Sequence, residues 1–159
     1  MKLSTKSRYA LEGLLYLAVY SQGRPLSVKE IAEGTSISTA YMEQIFFNMR
    51  KAGLVSTVRG AKGGFMLGHQ EKDITVGMII RAIEGSMVPV KCVASLSDCS
   101  SHMRSGCLSR RVWVRISNAI SESADRLTLE DLKNKFIAEN GGVENENFDQ
   151  GQVWPARTD

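Results

Sequence analysis

The sequence has no long apolar run, and no stretch approaches the ~20 residues that a membrane-spanning helix needs. The N-terminal segment has two lysines followed by apolar residues, as in a secretion signal. However, Arg8 and Glu12 interrupt its apolar part, and no small-residue cleavage site follows. The sequence also has no nucleophile–base arrangement and no phosphate-binding loop. We therefore expect a cytoplasmic protein that is neither a membrane protein nor an enzyme.

Cysteine is scarce, and its placement is uneven. The three cysteines, Cys92, Cys99 and Cys107, all fall between residues 92 and 107. An odd number in a chain without a secretion signal disfavours a disulfide framework and favours metal or redox chemistry. Thiolates are soft ligands that suit iron–sulfur clusters or zinc, and the small polar loop between them can turn all three inward. His102 lies in that loop as a fourth-ligand candidate, although a solvated histidine fits equally well and zinc stays a rival.

Charge is also uneven along the chain. Residues 1–63 hold nine lysines and arginines against four acids, a balance of +5, whereas the whole chain carries +3. A basic first third joined to a mildly acidic remainder is typical of a polyanion-binding module with an appendage. Chance unevenness explains the charge alone equally well.

The first 53 residues predict three helices. Ser4 or Thr5 can cap the first, and Leu11, Leu14, Leu15 and Ala18 give it a buried stripe. Ser27, with a glutamate three residues later, predicts a capping box at the start of the second. The third begins at Ser38 and stops at Gly53. Two short helices in succession outline a helix-turn-helix.

The chain then changes its pattern. Residues 54–59 alternate and are rich in β-branched side chains, a glycine-rich turn follows, and GFMLG reads as a second strand. A hairpin placed directly after a helix-turn-helix is a wing. The predicted fold is therefore mainly α with a small β-hairpin: a winged helix-turn-helix DNA-binding domain.

The remainder predicts a helix at 74–84, a segment from Gly85 to Gly106 without helical pattern, a long helix over 107–129 and a last short helix. The long helix has near-heptad spacing that indicates a seam for a partner helix, formed by Trp113, Ile116, Ile120, Ser123 and Leu127. We therefore divide the chain into a DNA-binding domain (1–84), a cluster-binding loop (85–107), a dimerisation helix with a C-terminal helix (108–138) and a disordered tail (139–159).

The third helix has the two faces of a recognition helix. Its apolar side comprises Tyr41, Met42, Ile45, Phe46 and Met49, and its other side comprises Ala40, Glu43, Gln44, Phe47 and Lys51. Glutamine can bond the adenine edge and glutamate the cytosine amine, while an arginine at the wing tip can enter a narrow minor groove. The candidate DNA-binding residues are Ser38, Ala40, Tyr41, Glu43, Gln44, Lys51, Arg59 and Lys62. An ordinary solvent-facing helix surface is the alternative.

Several segments together resemble the IscR-like iron–sulfur regulators of the Rrf2 superfamily of winged-helix transcription factors. They are KLSTKSRYALEGLLYLA, the run from LSVKEIAEG through the wing to GGFML, ITVGMIIRAIEG and the three-cysteine loop, within about residues 1–137. The resemblance implies a homodimer joined through the long helix and an inverted-repeat operator in double-stranded DNA. It also implies a cluster, usually [2Fe–2S], held by Cys92, Cys99 and Cys107, with base contacts from Glu43 and Gln44 and a wing contact from Arg59.

The sequence departs from that family in two respects, the fourth ligand and position 40. Family members with a known fourth ligand have histidine where this chain has Arg110, and a guanidinium is a poor ligand. Related nitric-oxide sensors use an acidic residue of the partner's first helix, where this chain has Arg8. Glu12, one turn later, is a further fourth-ligand candidate but can instead pair with Arg8. Ala40 replaces a common hydroxyl residue, so operator preference can differ.

With this resemblance, we expect a dimeric winged-helix repressor or dual regulator of iron–sulfur cluster assembly genes that senses cluster status. One alternative is a nitric-oxide or redox sensor of the same fold with a [4Fe–4S] cluster. Another, of a different class, is a zinc-stabilised interaction module.

Overall fold

The computed structural model describes residues 4–98 and 106–140, which form a mainly α-helical protein with one two-stranded antiparallel sheet. The elements α1, α2, α3, β1 and β2 come first, with bounds Thr5–Tyr20, Val28–Thr35, Thr39–Lys51, Val55–Val58 and Gly64–Leu67. A 3₁₀ turn at Glu71–Asp73 precedes α4, and α4 to α7 occupy Val76–Glu84, Lys91–Ala94, Leu108–Arg126 and Leu129–Glu139. The predicted fold class is confirmed.

Local capping begins and ends the first helices where the sequence predicts it. Ser4 is the N-cap of α1, and its hydroxyl accepts the backbone N–H three residues later at 3.3 Å. In the capping box of α2, the Glu30 N–H donates to the Ser27 hydroxyl at 3.2 Å, and the Ser27 N–H donates to the Glu30 carboxylate at 2.7 Å. Helix α3 begins after Ser38, and Gly53, at φ +76°, follows its C-cap. These bonds satisfy backbone groups that helix ends leave unpaired.

One hydrophobic core joins the first three helices, the hairpin and the later helices. Its fully buried large side chains are Leu14, Leu17, Leu26, Ile31, Met42, Ile45, Phe46, Met49, Leu54, Ile74, Ile79 and Leu129. Because α4 and α7 contribute to this core through Ile79 and Leu129, the second half of the chain packs against the winged helix. The core thereby fixes α3 and the hairpin relative to each other.

The segment from Gly85 to Gly106 contains helical turns that the sequence analysis missed. Helix α5 occupies Lys91–Ala94 and a 3₁₀ turn occupies Leu96–Asp98. The expectation of no helical pattern here is wrong for these two stretches. Periodicity cannot reveal helices of one turn, because an apolar repeat becomes visible only when it recurs over several turns.

The predicted long helix is shorter than expected at its C-terminal end. Helix α6 ends at Arg126 rather than at Leu129, because Thr128 is extended and caps α7 in a capping box with Asp131. The Thr128 hydroxyl accepts the Asp131 N–H at 3.1 Å. Thr128 also forms an antiparallel bridge with Thr75 before α4. The sequence contains this cap signal, a threonine followed three residues later by an aspartate, but Thr128 lies inside the helical pattern predicted for 107–129.

The predicted seam of α6 lies mostly on its outer side. Trp113, Ile116 and Leu127 are 37%, 38% and 46% exposed, whereas Ser117 and Ala124 are buried against the rest of the chain. Small residues thus make the contact within the chain, and larger apolar ones face outward. The predicted tail after Asn140 lies outside the described residues.

Among the described helices, none combines the length and apolar character that crossing a bilayer requires.

Candidate DNA-binding face and cysteine site

Helix α3 presents a polar outer face over an anchored inner one. Ile45 and Phe46 are fully buried, and Glu43 and Gln44 are exposed on the opposite side. Ser38, Ala40 and Lys51, three further candidates, are exposed as well. The buried stripe prevents the helix from rotating about its axis, so the outer side chains have a defined direction. Such a face can enter a major groove.

Tyr41 occupies an intermediate position on α3. It is half-buried and packs against the core. Its ring meets that of Tyr9 in α1 edge to face, with centroids 5.6 Å apart. Tyr41 therefore connects the start of α3 to α1, and its proposed contact with DNA stays a prediction.

Phe47 is 47% exposed on the outer face of α3, a costly position for an apolar ring. Two cations lie over that ring: Lys51 Nζ is 4.6 Å and Arg50 Cζ is 5.6 Å from its centroid. Such cation–π contacts are attractive and orient the cations. Phe47 thus positions positive charge at the C-terminal end of the exposed face.

A shallow depression of about 610 Å³ lies on this face. It is lined by Lys6, Ala40, Glu43, Gln44, Phe47 and Asn48. Lys6 belongs to the first turn of α1 and was not among the predicted site residues. Its position among the basic residues at the start of the chain was the available signal, but only the packing of α1 on α3 brings it to the depression that Gln44 also lines.

The wing is fixed to the recognition helix by its aromatic side chain. Strand β1 pairs with β2 in the register Val55 to Leu67 through Val58 to Gly64. The Phe65 ring packs on Phe46, with centroids 4.8 Å apart. Leu26 exchanges two backbone hydrogen bonds with Phe65, at 2.7 and 3.0 Å. Phe65 thus attaches the wing to α3 through its ring and to the segment before α2 through two backbone hydrogen bonds.

The wing tip carries positive charge on a turn. Arg59 directly follows β1, Gly60 adopts φ +119°, and Lys62 completes the tip, with both cations exposed. Within residues 4–98 and 106–140, Lys51, Arg59 and Lys62 form no ion pair with a carboxylate. Cations that are not neutralised by the protein attract phosphate most strongly.

Two of the three cysteines lie within the described residues, in what we call the cysteine segment, residues 85–107. Cys92 belongs to α5 and Cys107 is the N-cap of α6; both are half-buried, and neither forms a disulfide. Cys99 and His102 lie outside the described residues. No group of three potential metal ligands occurs in the described part of the chain.

Arg110 links the two described cysteines. Its backbone N–H donates to Cys107 Sγ at 3.5 Å, and its side-chain Nε donates to the Cys92 carbonyl at 2.8 Å. One residue of α6 therefore contacts both cysteine positions. Sequence alone indicates only that Arg110 is a poor ligand and does not reveal this role, because the contact spans 18 residues and a segment without clear periodicity.

Glu12, the other candidate for a fourth ligand, lies on α1. Its carboxylate Oε1 is 3.5 Å from Arg8 Nε, which is the i,i+4 pair that the sequence allowed. A role for Glu12 as a ligand stays a prediction.

Comparison with known proteins matches this architecture to one family. The model of the Rrf2 family, described as an iron-dependent transcriptional regulator, matches residues 3–135. The chain belongs to the Rrf2 family.

Named relatives of this Rrf2 chain are regulators. The HTH-type transcriptional regulator IscR of Photobacterium profundum is 41% identical over 132 residues, which cover 83% of this chain and 75% of the relative. IscR of Pectobacterium atrosepticum is 38% identical over 134 residues, which cover 84% of this chain and 80% of the relative.

Two solved structures resemble the Rrf2 chain closely. CymR, the global cysteine regulator of B. subtilis, superposes with a TM-score of 0.70 at 38% identity, covering 85% of this chain and 98% of that one. T. potens IscR superposes with a TM-score of 0.69 at 34% identity, covering 91% of this chain and 93% of that one. The Rrf2 chain is accordingly an IscR-type transcriptional regulator that binds DNA, and not an enzyme.

Proposed function

We propose that this protein is a dimeric, cytoplasmic DNA-binding repressor or dual regulator of iron–sulfur cluster assembly genes. In this proposal it senses cluster supply through a [2Fe–2S] cluster on Cys92, Cys99 and Cys107. The observation that carries the sensor assignment is the double contact of Arg110 with Cys92 and Cys107 at the start of α6. These bonds connect the cysteine residues Cys92 and Cys107 near the start of the helix that packs on the winged helix, which supports a shared site.

The donor set of this junction fits a cluster. Cys92 and Cys107 are half-buried and free of disulfides. Cys107 is the N-cap of α6, and its Sγ accepts the Arg110 backbone N–H. Cys99 supplies the third thiolate by its position in the sequence. His102 or Glu12 would complete the set, since the Arg110 guanidinium cannot.

When bound, the cluster would supply a redox-active, oxidation-sensitive group. The residues of this chain would supply its attachment and its connection to DNA. Arg110 joins the two thiol-bearing positions, and α6 extends from Cys107 to the contact with α4. A cluster can bias DNA binding only if it favours one of two conformations, so this junction is where we expect that bias to arise.

On the DNA side, we assign base recognition to the α3 face and backbone contacts to the cations around it. Glu43 and Gln44 would read base edges in the major groove, with Ser38, Ala40 and Tyr41 beside them. Arg59 would enter the minor groove. Lys51 and Lys62 would bind phosphate, and we add Lys6 to that set because it lines the same depression.

The outward apolar face of α6 supports a homodimer. Trp113, Ile116 and Leu127 expose apolar surface along one side of that helix, together with Leu108 and Val112. A contiguous apolar stripe on a helix is usually covered by a partner. Two symmetry-related recognition helices would then read an inverted repeat.

Two other functions predict different metal contents. A [4Fe–4S] nitric-oxide or redox sensor would use the same cysteines with more iron per protomer, and a zinc-stabilised interaction module would contain zinc and no sulfide. The visible absorption spectrum of anaerobically purified protein, with iron, sulfide and zinc analysis, separates them. Our proposal expects two iron and two sulfide per protomer, as its [2Fe–2S] formula requires. Stoichiometric zinc without sulfide would contradict it.

A cysteine-free variant tests whether the metal serves sensing or folding. Cys92, Cys99 and Cys107 changed together to Ser should abolish the chromophore but leave a folded dimer, because the core of the winged helix lies outside the cysteine segment. Metal at a structural zinc site contributes folding free energy, so that variant would then unfold. Circular dichroism and sedimentation of the variant decide between these outcomes, and loss of helix or of the dimer would contradict the sensor role.

A further inference from the structure

Glu84, the last residue of α4, binds the beginning of α1 through one carboxylate oxygen. Its Oε1 accepts the Ser4 backbone N–H at 3.0 Å and the Ser4 hydroxyl at 2.5 Å, and it also accepts the Ser7 hydroxyl. Ser4 is the N-cap of α1, and Ser7 is only 4% exposed. Hydrogen bonds to an ionised acceptor are roughly twice as strong as neutral ones. Glu84 therefore fixes the first turn of α1 to the end of α4.

The turn that Glu84 holds carries a residue of the DNA-binding face. Lys6 lies between Ser4 and Ser7, and it lines the depression on α3 beside Gln44. Hydrogen bonds from Ser4 and Ser7, with the positive charge of Lys6 as a smaller contribution, hold the pKa of Glu84 below its ordinary value. The Glu84 carboxylate is thus bonded to both serines that flank Lys6 in the first turn of α1.

Helix α4 also connects to the cysteine segment and to α6. Directly after Glu84, the chain turns at Gly85, which has φ +78°, into the segment that carries Cys92. One turn earlier, Arg81 forms a two-bonded ion pair with Asp125 of α6, at 2.8 Å from Nη1 to Oδ1 and 2.5 Å from Nη2 to Oδ2. The end of α4 is therefore attached to α1 and to α6, and it leads directly into the cysteine segment.

We propose that Glu84 is a positioning residue for DNA binding, which sets the first turn of α1, and with it Lys6, against the DNA. The inference rests on the DNA-binding part of the proposed function and does not require a cluster.

The direction in which DNA affinity changes when Glu84 is removed distinguishes a positioning role from a purely electrostatic one. Glu84 is an anion close to a cation that faces DNA, so its removal should strengthen binding to a polyanion if only charge matters. If Glu84 positions Lys6, its removal should weaken binding. Glutamine keeps a carbonyl oxygen that can accept the same hydrogen bonds without the charge, so it should retain most of the affinity under the positioning model.

The experiment measures affinity for a duplex that the parent protein enriches from a random-sequence library. Fluorescence anisotropy over a range of salt concentrations compares the parent with Glu84→Ala, Glu84→Gln, Lys6→Ala and the Glu84→Ala/Lys6→Ala double variant, all without cluster. We expect Glu84→Ala to weaken binding about tenfold, equivalent to ~1.4 kcal/mol. It should also lower the salt dependence toward that of Lys6→Ala, which loses about one phosphate contact. In the double variant the two losses should be less than additive.

Asp73→Asn is the matched control, because it removes an exposed carboxylate of the 3₁₀ turn before α4. It should leave the salt dependence unchanged. If Glu84→Ala fails to fold, Ser7→Ala removes one of the three donors and retains the N-cap of α1, and it should show a smaller loss in the same direction.

Equal or tighter binding by Glu84→Ala, or equal losses in Glu84→Ala and Glu84→Gln, would overturn the positioning role. Additive losses in the double variant would overturn the link to Lys6. Failure of the parent protein to enrich any duplex would instead contradict the DNA-binding part of the proposed function, so the two failures are distinguishable.

Discussion

Replacement of Arg110 tests the connection between the two described cysteine positions. The side-chain Nε of Arg110 donates to the Cys92 carbonyl at 2.8 Å, and the residue is only half-buried. A hydrogen bond with a charged partner contributes about 1.5–3 kcal/mol, and solvent screening at a partly exposed site reduces this to ~1 kcal/mol. Arg110→Ala should therefore lower the free energy of unfolding by about that amount in the cluster-free protein. The corresponding decrease in melting temperature is roughly 2–4 °C.

The larger effect of this substitution should fall on cluster retention. Without the guanidinium, α5 is no longer attached to α6 through Cys92, and ligands that must first be ordered bind with lower affinity. We expect Arg110→Ala to take up less cluster after anaerobic reconstitution and to lose it faster in air. Arg110→Lys keeps the charge but not the Nε donor, so it should behave like Arg110→Ala. Arg110→His should regain retention if the family's ligand position is functional here.

Visible absorbance per protein and thermal unfolding by circular dichroism measure both effects. Equal cluster content and equal cluster lifetime in Arg110→Ala and the parent would refute the role of Arg110. Parent-like behaviour of Arg110→Lys would show that the positive charge, rather than the Nε bond, makes the main contribution.

Three further predictions concern DNA binding and acid stability. Arg59→Ala should weaken duplex binding by on the order of 1–3 kcal/mol, and unchanged anisotropy curves at physiological salt would exclude a groove contact. Glu43→Ala should broaden the sequences enriched from a random library more than it changes affinity, since a carboxylate near DNA mainly rejects wrong sites; identical profiles would contradict this. Hydrogen bonds from Ser4 and Ser7 lower the pKa of Glu84. Its contribution to stability is therefore complete above the ordinary glutamate pKa of about 4.3 and is lost as pH falls through the lower folded value. Melting curves of Glu84→Gln should accordingly show a smaller loss of stability below about pH 4 than the parent; parallel curves would refute this.

Local signals in the sequence predicted most of the DNA-binding domain. The capping box of Ser27 and Glu30, the stop at Gly53 and the alternation before the wing act over a few residues, and the structure has each of them. The two faces of α3 follow from helical periodicity alone, so Ile45 and Gln44 lie on the predicted sides. These features are set by backbone bonds and by the separation of apolar from polar side chains, both of which a single sequence displays.

Contacts between distant elements could not be predicted in this way. Glu84 meets Ser4 across 80 positions, and Arg110 meets Cys92 across a segment without regular pattern. Lys6 is an ordinary exposed-helix residue until α1 packs on α3. Helix α5 is too short for any periodic signal. Each of these depends on how complete elements pack, and that arrangement is specified by the whole core rather than by neighbouring residues.

The most direct test of a cluster-sensing DNA regulator compares cluster-loaded and cluster-free protein on one duplex. Anaerobic fluorescence anisotropy would use a duplex enriched by the parent from random sequence, with the Cys92/Cys99/Cys107→Ser variant treated identically. Coupling between two sites typically changes affinity by about 5- to 150-fold. We predict a change in that range for the parent and none for the variant. Equal affinity of the loaded and cluster-free parent for every enriched duplex would contradict the account.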